Sequence, residues 1–157
     1  MEVSDKYKSN IIKEYKFWTL FINVKQVPHT GRCYIWWKDR TPHEGEGLSL
    51  ADLPLEALVE FQQIFAEVTT MCGALGYSID QYGPEFLLNT CYLANEGHIH
   101  HQHMHIHFIP RALHSFVVPK TDIQVVDPVW GANYERNYEE LSPSDFALVL
   151  AIMKNAI

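Results

Sequence analysis

Residues 55–75 contain the pattern that most limits what this chain can fold into. Apolar side chains recur there every three or four residues, at Leu55, Leu58, Phe61, Phe65, Val68, Cys72 and Leu75. This spacing places them on one face of a helix. Asp52 is positioned to cap the first turn, Pro54 suits that turn, and Gly76 marks the end. The segment therefore predicts one long helix that needs an apolar surface to pack against.

The chain on both sides of this helix has the character of β-strands. Residues 16–24 and 32–38 are rich in aromatic and β-branched side chains, and a turn containing Pro and Gly separates them. That arrangement predicts an antiparallel hairpin. Residues 85–94 and about 100–110 predict two further strands, and residues 121–127 a short late one.

Two shorter helices are expected near the ends of the chain. Residues 4–15 predict a short helix with Ser4 as its cap. Ser142 and Pro143 begin a closing helix that runs to about Asn155. The order of elements predicts an α+β fold, in which an antiparallel sheet of about five strands packs on one long helix and a C-terminal helix follows.

Composition limits the class of protein. A chain of 157 residues with 47% apolar and 20% charged side chains fits one globular domain. Its formal net charge of −7 disfavours binding to a nucleic acid polymer, which requires a basic face. The sequence contains no apolar run of 18 residues and no secretory signal pattern, so no membrane span is expected. Cys33, Cys72 and Cys91 are too far apart for a disulfide framework, which favours a cytoplasmic protein.

Six of the nine histidines lie within ten residues, at His98, His100, His101, His103, His105 and His107. In a strand, alternate side chains share a face. The imidazoles at odd positions therefore point one way, and the apolar side chains of Met104, Ile106 and Phe108 point the other way, towards a core. His29 and His114 are expected to be surface or loop histidines.

Spacing alone leaves two chemistries open for this row of imidazoles. Two or three of them could bind a metal ion such as zinc, with His101, His103 and His105 as one set. Alternatively, a neutral imidazole could act as a nucleophile towards phosphorus, with its neighbours contacting phosphate oxygens.

The stretch HMHIHFIPR, residues 103–111, resembles the signature of the histidine-triad (HIT) nucleotide hydrolases and transferases. That signature is three histidines alternating with apolar residues, often followed by Pro-Arg. Residues 16–38 are similar to the opening hairpin of a bacterial-type branch of the family, and residues 48–65 to its loop and long helix. NTCYLAN, residues 89–95, resembles the strand that precedes the signature. The resemblance covers about residues 16–111.

The resemblance implies roles for the matched histidines. His105, the middle one, would be the nucleophile that takes up a nucleotidyl group from the α-phosphate of a nucleotide. His103 and His107 would contact the phosphates and orient or protonate the reacting groups. The additional histidines before the triad leave a metal site open at His98, His100 and His101, although the family's chemistry requires no metal or other cofactor.

Further positions are implied to contact the substrate. Asn89 and Asn95 would hold ribose or phosphate, and Asn23 and Gln26 would line the nucleoside side of the pocket. Some members of the family use a hydroxyl donor before the triad, and here His100 or Gln102 would replace it; these two residues complete the expected substrate-binding set.

The resemblance thus implies a single HIT-like domain over residues 1–157, with a core at 16–111 and a C-terminal extension at 112–157. The expected substrate is a dinucleoside polyphosphate or a nucleoside phosphoramidate. Homodimers are common in the family, which implies a homodimer by analogy. Two alternatives remain open: a non-catalytic nucleotide- or metal-binding module of the same fold, and a zinc-dependent hydrolase that uses the His-rich loop.

Overall fold

The computed structural model describes residues 5–38, 50–78, 85–89, 104–128 and 137–157. Within these residues the helices are α1 (Asp5–Lys8), α2 (Leu55–Ala74) and α3 (Pro143–Asn155), with a 3₁₀ turn at Leu50–Asp52. The strands are β1 (Ile11–Glu14), β2 (Trp18–Ile22), β3 (Lys25–Val27), β4 (Cys33–Trp37), β5 (Glu85–Asn89), β6 (His105–Ile109), β7 (Phe116–Val117), β8 (Gln124–Val125) and β9 (Glu139–Glu140).

Five of the strands form one sheet in the order β1-β2-β4-β6-β5, and every neighbouring pair is antiparallel. Strands β2 and β4 are the two arms of the predicted hairpin. Two small sheets accompany the large one, β3 with β9 and β7 with β8. The α+β prediction, an antiparallel sheet of about five strands packed on one long helix, is confirmed.

The prediction of a helix over residues 4–15 is wrong for most of its length. Only Asp5–Lys8 is helical, and Ile11–Glu14 forms the edge strand β1, which pairs with β2. Helix propensity is a weak preference for so short a segment. Here the pairing with β2 satisfies backbone groups that β2 would otherwise leave open, so the tertiary contact decides the local structure.

Helix α2 covers the predicted segment, and six of the seven predicted apolar positions are buried or packed against the core; Leu55 is the exception. The buried residues of the helix are Ala57, Ile64, Val68, Met71 and Cys72. Leu55 is 72% exposed. Small Ala57 lies against the sheet because the indole of Trp18 donates to its carbonyl oxygen at 3.0 Å. The first turn of the helix therefore faces the sheet through Ala57 rather than Leu55.

The predicted N-terminal cap is wrong for α2 and correct for α3. Asp52 lies in the 3₁₀ turn, and Pro54 is the cap residue of α2, with no side-chain capping bond. Its carbonyl oxygen accepts from the amide of Ala57 at 2.9 Å. In α3 the prediction is confirmed, because the hydroxyl of Ser142 accepts from the amide of Asp145 and Pro143 occupies the first turn. Asp52 was therefore the wrong cap.

One carboxylate of α2 and three backbone amides at the start of β2 tie the helix to the sheet. The carboxylate of Glu60 accepts from the amides of Lys16, Phe17 and Trp18 at 3.0, 2.7 and 3.2 Å. These bonds replace strand pairing at the turn between β1 and β2, so one helix side chain fixes the start of β2.

Glu67, two turns further along the same side of α2, provides a test of how stability depends on pH. Partial burial alone would raise the pKa of Glu67, but hydrogen bonds from Tyr15, Gln63 and Lys13 outweigh it and lower the pKa below the ordinary 4.5. A lowered folded-state pKa contributes stability that is present above the unfolded pKa and is lost as the pH falls through the folded pKa.

Replacement of Glu67 by Gln is therefore expected to lower the free energy of unfolding by about 0.5–1 kcal/mol at neutral pH. The difference between variant and wild type should shrink as the pH falls below the unfolded-state pKa and through the lowered folded-state pKa, because the wild-type carboxylate then becomes protonated. Urea unfolding of both proteins at pH 7 and pH 3.5 measures this. An equal difference at the two pH values would contradict it.

Gly31 and Gly73 form a matched pair of glycines for a second test. Gly31 has φ +92°, and an added Cβ would lie 2.5 Å from the Cδ1 of Leu75, whereas a Cβ on Gly73 would meet nothing within 4 Å. Gly31→Ala is expected to cost about 1–2 kcal/mol for the backbone conformation, in addition to the displacement of Leu75. Gly73→Ala, within α2, is expected to stabilise by up to about 1 kcal/mol. Thermal unfolding of both variants measures the effects, and equal shifts would refute the conformational argument.

Candidate active site

Strand β6 carries the two described histidines of the triad pattern on one face. Ile106 and Phe108 lie in the hydrophobic core with Met104, which precedes the strand. The ring of Phe108 packs on Phe61 of α2, with centroids 6.3 Å apart. These apolar side chains anchor the strand from the helix side, which confirms the predicted alternation.

His105 and His107 lie on the opposite face of β6, away from α2. His105 is buried at 4% exposure, and His107 is partly buried. Their ring centroids are 5.0 Å apart, with an angle of 80° between the planes. Because β6 lies between β4 and β5, both imidazoles project from the interior of the sheet rather than from its edge. Two imidazoles are thus held close together on a rigid surface.

Aromatic rings cover the neighbouring positions of this histidine face. Trp36 is the partner of His105 across the β4–β6 pair, and Tyr34 is the partner of His107. The ring of Tyr34 lies 5.7 Å from that of His107 and stacks on Phe21 of β2 at 5.3 Å. Burial raises the pKa of Tyr34, so its hydroxyl stays neutral. The result is an apolar wall beside the two imidazoles.

The N-terminal helix contributes to the same wall. Tyr7 of α1 contacts Trp36 edge to face, with centroids 5.4 Å apart. Trp18, at 0% exposure, and Trp37, at 9%, are core side chains. Trp36 differs from them, because it is partly buried on the histidine face. Composition alone does not show which tryptophan lies opposite His105.

Of the predicted substrate-binding positions, Asn23, Gln26 and Asn89 lie within the described chain. Gln26 is fully buried. Its amide nitrogen donates to the carbonyl oxygens of Asn23 and Arg32, at 2.5 and 2.9 Å, and its amide oxygen accepts from the amide of Gly31 at 2.7 Å. These bonds hold the turn between β2 and β4 in shape. Asn23 is partly buried, and its side-chain oxygen accepts from the amide of Lys25 at 2.9 Å.

Asn89 ends β5 and is the cross-strand partner of His105. The pairing places the backbone of Asn89 opposite that of the central histidine, and its contact with the substrate stays a prediction. The other predicted residues lie outside the described part of the chain: His103 of the triad, Asn95, Gln102, and the loop histidines His98, His100 and His101. Their assignments stay predictions.

Sequence reasoning did not find a buried polar cluster at the end of β6. Arg111, at 2% exposure, pairs with Asp127, whose side chain is 1% exposed, through Nε–Oδ2 and Nη2–Oδ1 distances of 2.5 and 3.3 Å. His29 lies beside this pair, with its Nδ1 3.9 Å from the same carboxylate. His29 belongs to a loop, as expected, but it is 1% exposed and therefore not a surface residue.

Burial of His29 has a physical cause in the topology. The turn that contains it is covered by Tyr138, whose ring centroid is 6.0 Å from that of His29. Asp127 and Tyr138 both come from the C-terminal extension, about 100 residues along the chain. In the sequence, only Arg111, the arginine of the Pro-Arg pair, pointed to this cluster. No residue near it in the chain identified Asp127 as its partner.

The cysteines and the charged residues support no other site in the described regions. Cys33 and Cys72 are free and buried, as expected for small apolar side chains, and burial raises the pKa of Cys72 to about 12. Cys91 lies outside the described residues. Among the residues placed by the structure, no group of three or more His, Cys, Asp or Glu could hold a metal ion. No described helix is long and apolar enough to cross a membrane.

Comparison with known proteins gives a structural match only. No family model matches the sequence, and no curated protein does. A Hit-like protein involved in cell-cycle regulation from Bartonella henselae superposes with a TM-score of 0.55 at 15% identity, covering 94% of this chain and 86% of that one.

Two further structures agree with the first. A hypothetical histidine triad nucleotide-binding protein from Sulfolobus tokodaii has a TM-score of 0.58 at 15% identity, covering 94% of this chain and 82% of that chain. A zinc-bound histidine triad family protein from Mycobacterium smegmatis has a TM-score of 0.54 at 16% identity, with coverages of 92% and 84%. The bacterial-type branch stays a prediction. The chain has the fold of the histidine-triad proteins.

Proposed function

We propose that this protein is a nucleotide hydrolase or nucleotidyl transferase. It acts at the α-phosphate of a nucleoside phosphate ester or phosphoramidate. One observation carries the proposal: His105 and His107 lie 5.0 Å apart, ring to ring, on a strand anchored in the core of a histidine-triad fold. Their separation lets one imidazole attack a phosphorus atom while its neighbour contacts the oxygens of the same phosphate.

The reaction has two displacement steps. In the first, a ring nitrogen of His105 forms a bond to the α-phosphorus while the bond from phosphorus to the leaving group breaks. A neighbouring imidazole of the triad, His103 or His107, supplies the proton that the leaving group takes up. In the second, the oxygen of water attacks the same phosphorus and passes a proton to the imidazole that gave one up in the first step, the phosphorus–nitrogen bond breaks, and a nucleoside monophosphate leaves. An acceptor other than water makes the protein a transferase.

The surroundings of His105 support this chemistry. The imidazole is largely buried, and aromatic side chains line the adjacent positions of β4. Exclusion of water strengthens the electrostatic contacts between cationic or polar groups and a phosphate. Neither proposed step uses a cofactor. Asn89 and Asn95 are proposed to hold ribose or phosphate, and Asn23 the nucleoside.

Trapping the covalent intermediate tests the proposal. The protein is incubated with an α-³²P-labelled adenosine phosphoramidate or dinucleoside polyphosphate in the presence of a chelator, and it is then denatured. Label that stays on the protein in alkali and is released by acid is the expected result, because a phosphorus–nitrogen bond to imidazole is labile in acid.

The alternatives give different results in the same assay. Turnover that requires added zinc would favour the zinc-dependent hydrolase. Nucleotide binding without label or turnover would favour a non-catalytic module and would overturn the proposal. The cytoplasmic location, predicted from the cysteines, and the homodimer, predicted by analogy with the family, remain predictions.

A further inference from the structure

Arg32 extends the row of β4 side chains that faces the two histidines. Cys33 lies in the core opposite Phe108, and Tyr34 lies opposite His107 on the other face. Side chains two residues apart in extended chain share a face. Arg32 immediately precedes β4, so it continues the row formed by Trp36 and Tyr34. Arginine thus stands at the far end of the aromatic wall, beyond His107.

The backbone of Arg32 is fixed on both sides. Its amide donates to the carbonyl oxygen of His29 at 3.0 Å. Its carbonyl oxygen accepts from the amide of Asn23 at 3.0 Å and from the side chain of Gln26 at 2.9 Å. Gln26 itself is fully buried. The side chain therefore leaves from a rigid turn, and little backbone freedom is lost when it binds a ligand.

The guanidinium of Arg32 is held in place by the C-terminal extension. Its Cζ lies 3.8 Å from the ring centroid of Tyr138. Tyr138 directly precedes β9, which pairs with β3 next to the same turn. A cation–π contact of this length engages the face of the guanidinium. The N–H donors lie in the guanidinium plane, so the contact restricts the directions in which they point.

We propose that Arg32 binds a second phosphate group of the substrate, in addition to the phosphate that His105 attacks. The inference rests on the proposed function. A guanidinium presents a planar fork of donors that matches two phosphate oxygens, and it remains charged at every physiological pH. In a chain of net charge −7, a cation fixed beside the site is a specific feature and not part of a generally basic surface.

The reach of the side chain fits a second phosphate and not the attacked one. Trp36 is the cross-strand partner of His105, and four residues separate it from Arg32. That is about 13 Å along the strand, at roughly 3.3 Å per residue. The extended arginine side chain covers only part of this distance, and a substrate with a further phosphate covers the rest. The second phosphate can lie on the leaving group or on the ribose.

Three adenosine substrates distinguish these two positions of the second phosphate. They are adenosine 5′-phosphoramidate, which has one phosphate; diadenosine triphosphate, with further phosphates on the leaving side; and adenosine 5′-phosphoramidate 3′-phosphate, with the second phosphate on ribose. Arg32→Met is expected to lower kcat/KM for one of the latter two by about 10- to 100-fold more than for the first, mainly through KM. The substrate that is affected shows whether Arg32 binds a phosphate on the leaving group or on the ribose.

Matched variants control for charge and folding. Arg32→Lys keeps the charge but loses the fork, so an intermediate loss of selectivity is expected. Lys25→Met removes an exposed cation from adjacent β3 and is expected to leave the ratio of the kcat/KM values unchanged. Tyr138→Leu should raise KM for the same substrate, because it removes the ring that orients Arg32, whereas Tyr138→Phe, which keeps the ring, should not.

The outcomes separate this inference from the proposed function. A wild-type protein that turns over none of the substrates refutes the proposed function, and the inference falls with it. Turnover by wild type with the same ratio of kcat/KM values in Arg32→Met overturns the inference alone. A change in the preference for guanosine over adenosine substrates, without a change in phosphate selectivity, also overturns it, since arginine can pair with guanine.

Discussion

Replacement of His105 by Asn is expected to abolish the covalent label and to lower kcat on the order of 10⁴-fold or more. The amide of asparagine fills much of the space of the imidazole and can hydrogen-bond, but it cannot form the bond to phosphorus. His105 is 4% exposed and lies on β6 between β4 and β5, so the backbone that carries residue 105 is held by strands on both sides. Single-turnover kinetics and the labelling assay measure the effect.

A stability measurement distinguishes loss of chemistry from loss of fold. The unfolding free energy of His105→Asn is expected to change by about 1 kcal/mol, because the substitution keeps a polar side chain of similar shape. His107→Asn is the matched control: label should still form, but more slowly, since the nucleophile is intact and only an assisting imidazole is gone. Label on His105→Asn equal to wild type would refute the assignment of the nucleophile.

Replacement of Asp127 by Ala is expected to have the largest effect on stability, a loss of about 3–5 kcal/mol. Arg111 is 2% exposed, and its guanidinium meets the carboxylate of Asp127 through two hydrogen bonds. Without that carboxylate, the cation remains buried without its main counter-charge. The pair connects the end of β6 to the C-terminal extension, so its loss should free that extension as well. Urea unfolding measures the change.

A double-mutant cycle shows whether the cost comes from the unpaired charge. Arg111→Met together with Asp127→Ala should recover much of the stability that Asp127→Ala loses, because no buried charge remains. Lys13→Met provides the exposed comparison. Lys13 pairs with Glu67 at 2.9 Å, but its side chain is 37% exposed, and its loss should cost less than about 1 kcal/mol. A loss below about 1 kcal/mol for Asp127→Ala would mean that water reaches Arg111.

The parts of the fold that were predictable have strong local patterns. The alternation from Met104 to Phe108 was correct, because a strand that packs one face on the core requires an apolar side chain at every second position. The α3 prediction was correct because Ser142 and Pro143 form a local start signal that needs no distant partner. For the candidate site, alternation predicted correctly that His105 and His107 share a face, and the resemblance alone suggested their roles.

Two of the incorrect predictions concern residues whose environment is set by a distant segment. Residues 11–14 were expected to be helical, but they pair with β2 as an edge strand. Leu55 was expected on the buried face of α2, but in the first turn Ala57 is buried instead, where its carbonyl oxygen accepts from the indole of Trp18. The spacing of apolar residues determines the buried face of a helix only to within about one residue's rotation. The surface on which the helix packs determines where the centre of that face lies.

The sequence by itself determined the alternating strand, the long helix and the row of histidines, since each depends on side chains only a few positions apart. Tertiary structure alone brought Tyr138 onto Arg32, and Asp127 onto Arg111 beside His29. These partners are 16 to more than 100 positions apart and share no period. Their contacts arise because the antiparallel sheet and the returning C-terminal extension place them at one end of β6, and burial then makes each charge depend on its neighbour.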